Sequence, residues 1–482
     1  MSLLFEQLPP LPVLAVSLAL AAAMAWYLLS ADNTRTKDGK LLLKMAPIGM
    51  LDVITNLGGP RGPFWILETA RKLGVMNYRL RLPGIEVCIV GDCQLTRDIL
   101  QDKLSDKPRQ FYKAFQGTGA KTMFSSSYDP YMRSIRKATA HAFSKNEVGR
   151  MRSVAAKYVD QWMNGRLKEL AKSGTPFNPA REFNLITFLV ICEAAFEYNA
   201  SKEEFDFFEH HAEITQREFI GKSPFNPLRA IFGAFIPSVR EARDSMTAIL
   251  KFCGHVLDTY RKNPSKSTNS TLIKILNDNT SIESEFQRQS EVKDWLTAGH
   301  DTTGYSLANT LTLLAKHPQV QSKLQEELLQ TTGVAAEECE YFKHVMKESM
   351  RVMPVAAGGS GRVTGQDYEL KDGTVVPKGS ICFTNQYLMN HNADVYGENV
   401  DQFCPERWED PTDEMKVAMS PFALGARACP GQPLAMSEIN AVLPTILQKF
   451  SFELVTEGTP TNFLTFKYLG TQLIAKELVV PK

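Results

Sequence analysis

The residues around Cys429 have the types and spacing of a metal-binding turn. They follow the pattern Phe422-x-x-Gly425-x-Arg427-x-Cys429, and an apolar helical stretch comes directly after it. A cysteine thiolate is a soft, electron-rich metal ligand, and glycine lets the backbone pass close to a flat cofactor. The N–H groups of the following helix help keep the sulfur ionised, and Arg427 suits a carboxylate through bidentate hydrogen bonds. Because haem offers one iron and two propionates, the pattern predicts a cysteinate-ligated haem site.

For so short a motif, the alternative is a buried cysteine in an ordinary loop-to-helix turn. The whole stretch 421–439, however, resembles the haem-binding loop of the cytochrome P-450 family, in which a cysteine thiolate holds the iron. Three further motifs match that family in the same order, and the resemblance covers the chain from about Gly62 onward. It implies haem b (iron protoporphyrin IX) as the cofactor, with Cys429 as the axial ligand of its iron.

A second motif, 298–303, lies inside a long helical pattern and reads Ala-Gly-His-Asp-Thr-Thr. Glycine and threonine are poor helix formers, so this stretch predicts a local opening of the helix towards a cavity. By the resemblance it crosses the distal face of the haem, where Thr302 hydrogen-bonds dioxygen, Asp301 relays protons and Gly299 leaves room above the ring. His300 is interpreted as facing a neighbouring side chain rather than a metal. A helix with a polar face is the alternative.

Glu348 and Arg351 are three residues apart on one predicted helix, so their side chains share a face. Such pairs are common on protein surfaces and contribute little there. By the resemblance, the segment 403–408 supplies a second arginine, Arg407, and the three residues form a buried structural triad that holds the cysteine loop. A buried carboxylate between two guanidiniums must be fully hydrogen-bonded, so losing one member is expected to be costly.

Two further arginines are candidates for the haem propionates. Arg136 lies in a segment that resembles the W-x-x-x-R helix start of the family, with Met132 where tryptophan is usual. Methionine cannot donate a hydrogen bond, so the contact that the tryptophan would make is in doubt. Arg362 begins a predicted strand at the place where the family often has a propionate-binding arginine. A solvated arginine is the alternative at both positions.

The resemblance also implies partners. A haem monooxygenase must receive two electrons, here from NADPH through a flavoprotein reductase, with cytochrome b5 as a further candidate donor. Arg133 and Lys137 share a helix face that could dock such an acidic protein, although a solvated face is the alternative. The net charge of +1 gives no reason to expect a nucleic-acid partner.

The substrate is expected to be an apolar small molecule of the lipid, sterol, fatty acid or terpenoid class. The candidate walls of its pocket are aromatic or small and apolar, which suits such ligands. They are the segments 112–115, 219–225, 295–298, 355–359 and 463–468.

The first residues predict a membrane anchor. Residues 8–30 carry no charge and are about long enough to cross a bilayer as a helix, with more basic residues after them than before. A cleaved signal peptide is the alternative. The predicted organisation is an anchor at 8–30, a hinge at 31–61 and a catalytic domain at 62–482. The eight scattered cysteines indicate reduced thiols, so this domain is expected in the cytosol at the endoplasmic reticulum.

Apolar periodicity predicts a catalytic domain that is mainly α-helical with small β-sheets. The longest predicted helix spans 285–316, and strands are predicted at 78–82 and 87–90, near 361–383 and after Phe450. The predicted activity is insertion of one atom of O2 into the substrate. The alternatives are a haem-thiolate isomerase or peroxygenase, which tends to lack the threonine after the acid, and a non-enzymatic haem-binding sensor, which needs no proton relay.

Overall fold

The computed structural model describes residues 34–478, apart from 83–84, 223, 225, 227–228, 230–231, 265–270, 332 and 334. The predicted anchor at 8–30 therefore lies outside the described residues, as do the first residues of the predicted hinge. Within the described ranges, no helix has both the length and the apolar character needed to cross a bilayer. The anchor stays a prediction.

Helices make up most of the described chain, as the apolar periodicity predicts. In chain order they are α1 (Met50–Leu57), α2 (Gly62–Leu73), α3 (Cys93–Gln101), α4 (Arg109–Gln116), α5 (Pro130–Thr139), α6 (Lys145–Trp162), α7 (Lys168–Ser173), α8 (Pro179–Phe196), α9 (Lys202–Thr215), α10 (Pro237–Lys262), α11 (Leu272–Asp278), α12 (Glu285–Lys316), α13 (Pro318–Gln330), α14 (Glu340–Val352), α15 (Gln386–Asn390), α16 (Ala393–Tyr396), α17 (Asp413–Ala418) and α18 (Gln432–Leu447). Single 3-10 or π turns link several of them, among them the π turn Met163–Leu167 and the 3-10 turn Gly425–Arg427.

The strands are short and form four small sheets. They are β1 (Leu41–Leu42), β2 (Asn77–Leu82), β3 (Ile85–Val90), β4 (Ser360–Val363), β5 (Tyr368–Glu369), β6 (Thr374–Val376), β7 (Ile381–Thr384), β8 (Phe450–Thr456), β9 (Thr459–Asn462), β10 (Phe466–Leu469) and β11 (Gln472–Glu477). The largest sheet has the order β2-β3-β7-β4, with β3 and β7 parallel and the outer pairs antiparallel. The smaller sheets are β1-β6-β5, β8-β11 and the hairpin β9-β10.

The helix α12 has the bounds that the periodicity predicts, 285–316. It ends at His317 because Pro318 begins the next helix and cannot continue the preceding hydrogen-bond ladder. Most of its residues are buried, as expected for a helix that runs through the interior of the domain. The neighbouring elements that carry site residues therefore pack around this long buried helix.

The glycines of α12 allow a close approach to α8. A Cβ atom on Gly299 would lie 2.0 Å from the side chain of Ile191, and one on Gly304 would lie 2.1 Å from the amide oxygen of Asn184. The expectation that Gly299 leaves room above a haem ring is therefore wrong. Gly299 faces a packed helix, and its missing side chain makes space for Ile191 rather than for a ligand.

Candidate active site

The Cys429 loop connects the 3-10 turn Gly425–Arg427 to the start of α18. The Cys429 N–H donates to the carbonyl oxygen of Phe422 at 2.8 Å, which closes the loop. All eight cysteines lie among the described residues, and Cys429 is the only exposed one. Cys429 therefore lies at the surface near the helix end, where a ligand can approach it.

The surroundings of Cys429 shift the pKa of its thiol in two opposite directions. Protein on the remaining sides of the thiol withdraws it from water and raises its pKa, whereas the backbone N–H groups of Gly431 and Gln432 and the charge of Arg136 lower it. The pKa stays above its ordinary value. A metal ion binds the thiolate form of cysteine. Binding of a metal cation would therefore stabilise the Cys429 thiolate, which the protein groups alone do not stabilise fully.

Gly425 is required where the loop packs on α3. Its φ is +70°, and a Cβ atom there would lie 2.3 Å from the carbonyl oxygen of Leu100. Backbone atoms cannot move aside as a flexible side chain can, so no other residue fits without displacing the loop. The glycine of the motif thus sets the distance between the cysteine loop and the last turn of α3.

Ala423 in the same loop also has a positive φ, of +56°. We expect Ala423→Gly to stabilise the folded protein by about 0.5 kcal/mol. The left-handed conformation raises the free energy of the folded protein by about 1–2 kcal/mol for a non-glycine residue. Glycine removes this cost, but it also gives the unfolded chain more conformational freedom, which lowers the stability by about 0.4–1 kcal/mol. Thermal and denaturant midpoints measure the change. Ala426→Gly is the control, since Ala426 is exposed and is not among the positive-φ residues. A stabilisation no larger than that of the control would contradict the prediction.

Three cationic side chains converge near the loop, namely Lys107, Arg362 and Arg427. Arg362 is 1% exposed; its Nη1 donates to Gly361, whereas its Nη2 finds no hydrogen-bond partner among the described residues. Arg427 donates to the carbonyl oxygen of Ser126, and its buried Nε is likewise unpaired within the described chain. A buried guanidinium nitrogen without a hydrogen-bond acceptor is costly, and a carboxylate is the acceptor that suits its geometry and charge best.

Lys107 was not found by sequence reasoning. Burial and the charges of Arg427 and Arg362 hold the pKa of its amine well below the ordinary value. The amine donates to the carbonyl oxygen of Phe124 at 2.5 Å and lies 4.3 Å from the ring centroid of Tyr112. Two guanidiniums with unpaired donors, Arg362 and Arg427, beside the Lys107 amine suit a group that carries two carboxylates, so the residues present fit the two propionates of haem.

Arg136 lies beside the cysteine loop. Its Nη2 donates to the carbonyl oxygen of Ala428 at 2.8 Å, and its charge acts on both Cys429 and Arg427. Met132, one turn earlier on α5, is 1% exposed and packs in the hydrophobic core. The structure thus brings Arg136 to the site and turns the side chain of Met132 away into the protein interior.

Thr302 and Asp301 lie on different faces of α12. The Thr302 side chain is half-buried, and its exposed hydroxyl donates to the carbonyl oxygen of Ala298 at 2.9 Å. Asp301 is 2% exposed and accepts a hydrogen bond from the hydroxyl of Thr465 at 3.0 Å. Burial raises the pKa of Asp301, although nearby Lys467 opposes the shift.

The predicted local opening of α12 is absent from these residues, because the helix is continuous through 298–303. A threonine hydroxyl that bonds the carbonyl one turn earlier is compatible with an unbroken helix, which explains the difference. His300 faces neighbouring protein groups, as interpreted from the sequence. Its Nδ1 lies 2.8 Å from the carbonyl oxygen of Leu296 and its Nε2 lies 3.3 Å from a carboxylate oxygen of Glu209.

The structure brings Glu348, Arg351 and Arg407 together in the interior. Arg351 donates to both carboxylate oxygens of Glu348, at 2.8 and 2.9 Å, and Arg407 Nε donates at 3.0 Å. The backbone N–H of Cys404 and the indole of Trp408 complete the set. Burial by itself would raise the pKa of Glu348, but the bonds and charge of Arg351 hold it below the ordinary value.

The remaining donors of the two arginines bind backbone carbonyls and the side-chain amide oxygen of Asn399. Arg351 binds the carbonyls of Asn390, Val400 and Gln402, and Arg407 binds those of Tyr396 and Asn399. The triad therefore holds the segment 390–408, which precedes the cysteine loop along the chain, rather than contacting the loop itself through these bonds.

Comparison with known proteins supports the same assignment along the whole domain. The cytochrome P450 family model matches residues 63–478. The chain belongs to the cytochrome P450 family. It is 25% identical to cytochrome P450 83A1 of Arabidopsis thaliana over 92% of this chain and 93% of that protein. Cytochrome P450 3A28 of Bos taurus is 27% identical over 69% of each chain. A putative cytochrome P450, CYP13A7 of Caenorhabditis elegans, is 34% identical over 39% of this chain and 37% of its own length.

Family membership makes this P450 a haem-thiolate monooxygenase, an oxidoreductase. Members of the cytochrome P450 family bind haem, and they generally use redox partners and hydrophobic substrates. The chemistry of the residues present agrees with haem, since an exposed thiol lies near a cluster of cations with unpaired donors.

The predicted wall 295–298 of the substrate pocket begins with a core residue, Trp295, and ends with an exposed one, Ala298, and it stays a prediction. Trp295 is 7% exposed and stacks on Phe143 with ring centroids 5.7 Å apart, so it belongs to the hydrophobic core. Aromatic side chains do gather at 112–124, where Phe115 stacks on Tyr112 and packs edge-on against Phe124. Two residues of the predicted wall 219–225 lie outside the described chain.

Proposed function

We propose that this protein is a membrane-anchored P450 that inserts one atom of O2 into an apolar small molecule. The other oxygen atom leaves as water, with two electrons from NADPH through a flavoprotein reductase and two protons from solvent. The exposed Cys429 thiol beside an unpaired cationic cluster carries the proposal, because it supplies a metal ligand and a dianion site together.

Each residue of the candidate site has a proposed role in holding the cofactor. When bound, haem b would supply an iron that activates dioxygen, and a cysteine sulfur would hold that iron. Cys429 provides that sulfur, and Phe422 and Gly425 shape its loop through a carbonyl hydrogen bond and a close backbone approach. The proposed propionate partners are Arg136, Arg362, Arg427 and Lys107.

Asp301 and Thr302 are the proposed proton-handling groups. Two protons must be delivered for each O2 consumed, and both side chains carry exchangeable protons on the helix that the family resemblance puts beside the haem. The exposed hydroxyl of Thr302 supports contact with a ligand beside α12, and burial, which raises the pKa of Asp301, supports a carboxyl group that binds a proton more readily than an exposed aspartate does. An isomerase or a haem sensor has no need of such a pair.

We expect Thr302→Ala to uncouple the reaction. The variant should keep the thiolate spectrum of the reduced carbon monoxide complex but form roughly tenfold less product per NADPH and release more peroxide. The loss is smaller than the about 10²- to 10⁴-fold that a positioned proton donor contributes, because water can replace the hydroxyl. Thr312→Ala is the matched control, since Thr312 also donates to the carbonyl one turn earlier but is buried. Unchanged coupling in Thr302→Ala would remove the proposed role.

The substrate proposal rests on the aromatic residues at 112–124. Tyr112, Phe115 and Phe124 offer stacked and edge-on rings that suit a lipid, sterol, fatty acid or terpenoid. A lipid library screened for spectral shifts of the ferric haem tests the class. If polar ligands alone shifted the spectrum of the ferric haem, that result would contradict the proposed substrate class.

The partner and membrane proposals rest on surface charge and on the first residues. Arg133 and Lys137 are both exposed on α5, the helix that also carries Arg136, and they suit an acidic electron donor such as the reductase or cytochrome b5. The uncharged segment 8–30 supports an anchor in the endoplasmic reticulum membrane with the catalytic domain in the cytosol. Reductase-supported turnover that falls with salt, and falls further in Arg133→Glu, would support the docking face.

A further inference from the structure

A second group of polar and charged side chains lies where α8, α9, α12 and the hairpin β9-β10 meet. It is distinct from the cationic cluster near Cys429, and sequence reasoning did not connect its members. They are Asn184 of α8, Glu209 of α9, His300, Asp301 and Tyr305 of α12, Thr465 of the hairpin turn, and Lys467 of β10.

The two carboxylates of this group are close to each other. Ligand atoms of Glu209, His300 and Asp301 all lie within 4.8 Å of one another. At this separation a proton can pass between the carboxylates after a small side-chain rotation or through one intervening water. Asn184 also donates to Glu209 at 3.3 Å, so the Glu209 carboxylate is held from two sides.

Exposure to solvent differs sharply across the group. The side chain of Glu209 is 26% exposed, whereas that of His300 is 1% exposed and the whole Asp301 residue is 2% exposed. Asp301 therefore has no direct access to bulk water in this structure. Among these three residues, only Glu209 connects the buried end of the group with the surface.

The two carboxyl groups have opposite pKa shifts. Burial acts to raise the pKa of Glu209, but the hydrogen bond and charge of His300 and the charge of Lys467 hold it below the ordinary value. Burial raises the pKa of Asp301, and the charge of Glu209 adds to that shift. Two neighbouring acids with separated pKa values are suited to different roles in proton transfer.

His300 and Lys467 balance the charge of the two acids. Both ring nitrogens of His300 are occupied, by Glu209 and by the carbonyl of Leu296, and although burial acts to lower its pKa, Glu209 raises it above the ordinary value. Lys467 is 4% exposed and donates to the hydroxyl of Tyr305 at 3.1 Å. Both ring nitrogens of His300 thus face oxygen atoms, and the charge of Lys467 acts on both acids.

We propose that Glu209 is the solvent-side residue of a proton path whose inner residue is Asp301, with His300 and Lys467 as positioning residues. In each passage, a solvent proton binds a carboxylate oxygen of Glu209, moves to a carboxylate oxygen of Asp301 and passes from Asp301 to a water molecule on the side of α12 that carries the Thr302 hydroxyl. Two passages supply the two protons that accompany two electrons and one O2. The proposal rests on the proposed function and adds to it the route by which protons reach the buried acid.

The test uses the full-length holoenzyme with its reductase and a substrate found by the spectral screen. We expect Glu209→Gln to lower product per NADPH by about threefold to tenfold, to increase peroxide release and to alter the solvent isotope effect on coupled turnover. Glu209→Asp keeps a carboxylate and should recover part of the coupling. Asp206→Asn is the matched control, because Asp206 lies three residues earlier on α9 and bridges to Arg181 of α8 in an exposed ion pair of 2.8 Å.

Two further measurements separate this proposal from its alternatives. Thermal midpoints and the reduced carbon monoxide spectrum report whether Glu209→Gln keeps its fold and thiolate ligation. Product formation driven by added hydrogen peroxide should be unaffected, because peroxide brings both protons with it. Coupling and isotope effect equal to those of Asp206→Asn would overturn the proton path. Failure of the unsubstituted protein to turn over with NADPH would instead overturn the proposed function.

Discussion

Cys429→Ala is expected to abolish oxygen insertion and the thiolate-type band of the reduced carbon monoxide complex. Cys429 offers the one exposed thiol of the chain, at the end of a loop closed by the Phe422 carbonyl. Alanine provides no atom that can bind iron, so the electron-rich sulfur that the haem chemistry of this family depends on is lost. The difference between spectra of the reduced protein with and without carbon monoxide, together with product analysis, measures the result.

The matched control for this prediction is Cys93→Ala. Cys93 is half-buried at the start of α3 and has no proposed contact with haem. It should keep both the band and the activity. A thiolate-type band that persists in Cys429→Ala would contradict the assignment of the ligand. Haem that is retained with a shifted band would support it, because the pocket and its cations would still hold the porphyrin.

Glu348→Gln is expected to destabilise the fold by about 3–5 kcal/mol, since removing one partner of a buried ion pair leaves the other charge uncompensated. Glu348 and Arg351 are both fully buried, and Arg407 is nearly so. The amide cannot accept from both arginines and Trp408 in the same geometry. Denaturant unfolding and haem retention measure the loss. Glu337→Gln, which breaks an exposed pair with Arg152, is the control and should cost no more than about 1 kcal/mol.

The lowered pKa of Glu348 also predicts that the stability of the protein depends on pH. Because the pKa of folded Glu348 lies below its ordinary value of 4.5, its contribution is fully present above that value and is lost as the pH falls through the folded pKa. Stability should therefore decrease on acidification in the unsubstituted protein more steeply than in Glu348→Gln. Equal slopes for the two proteins below pH 4.5 would show that this group does not contribute to acid unfolding.

The long-range contacts of the candidate site could not be predicted from the chain. Lys107 escaped notice because a single lysine in a loop carries no periodic signal, and its role arises only where Arg362 and Arg427 approach it. The link between Glu209 and His300 joins residues 91 positions apart, and no local pattern encodes it. The position of Gly299 was predicted wrongly for the same reason, since Ile191, against which it packs, lies on another helix.

The sequence by itself determined the elements and the local chemistry of this protein. Hydrogen bonds within a helix span four residues, so the apolar period was enough to predict 285–316 as α12 with its observed bounds. The turn before Cys429 is equally local, and its residue types and spacing, together with the family resemblance, predict a haem ligand. Only the tertiary structure decided which cations lie near that turn, which face of α12 each polar side chain occupies, and where Glu209 meets Asp301. Those contacts depend on how distant elements pack, and packing is set by the shape of the whole interior rather than by neighbouring residues.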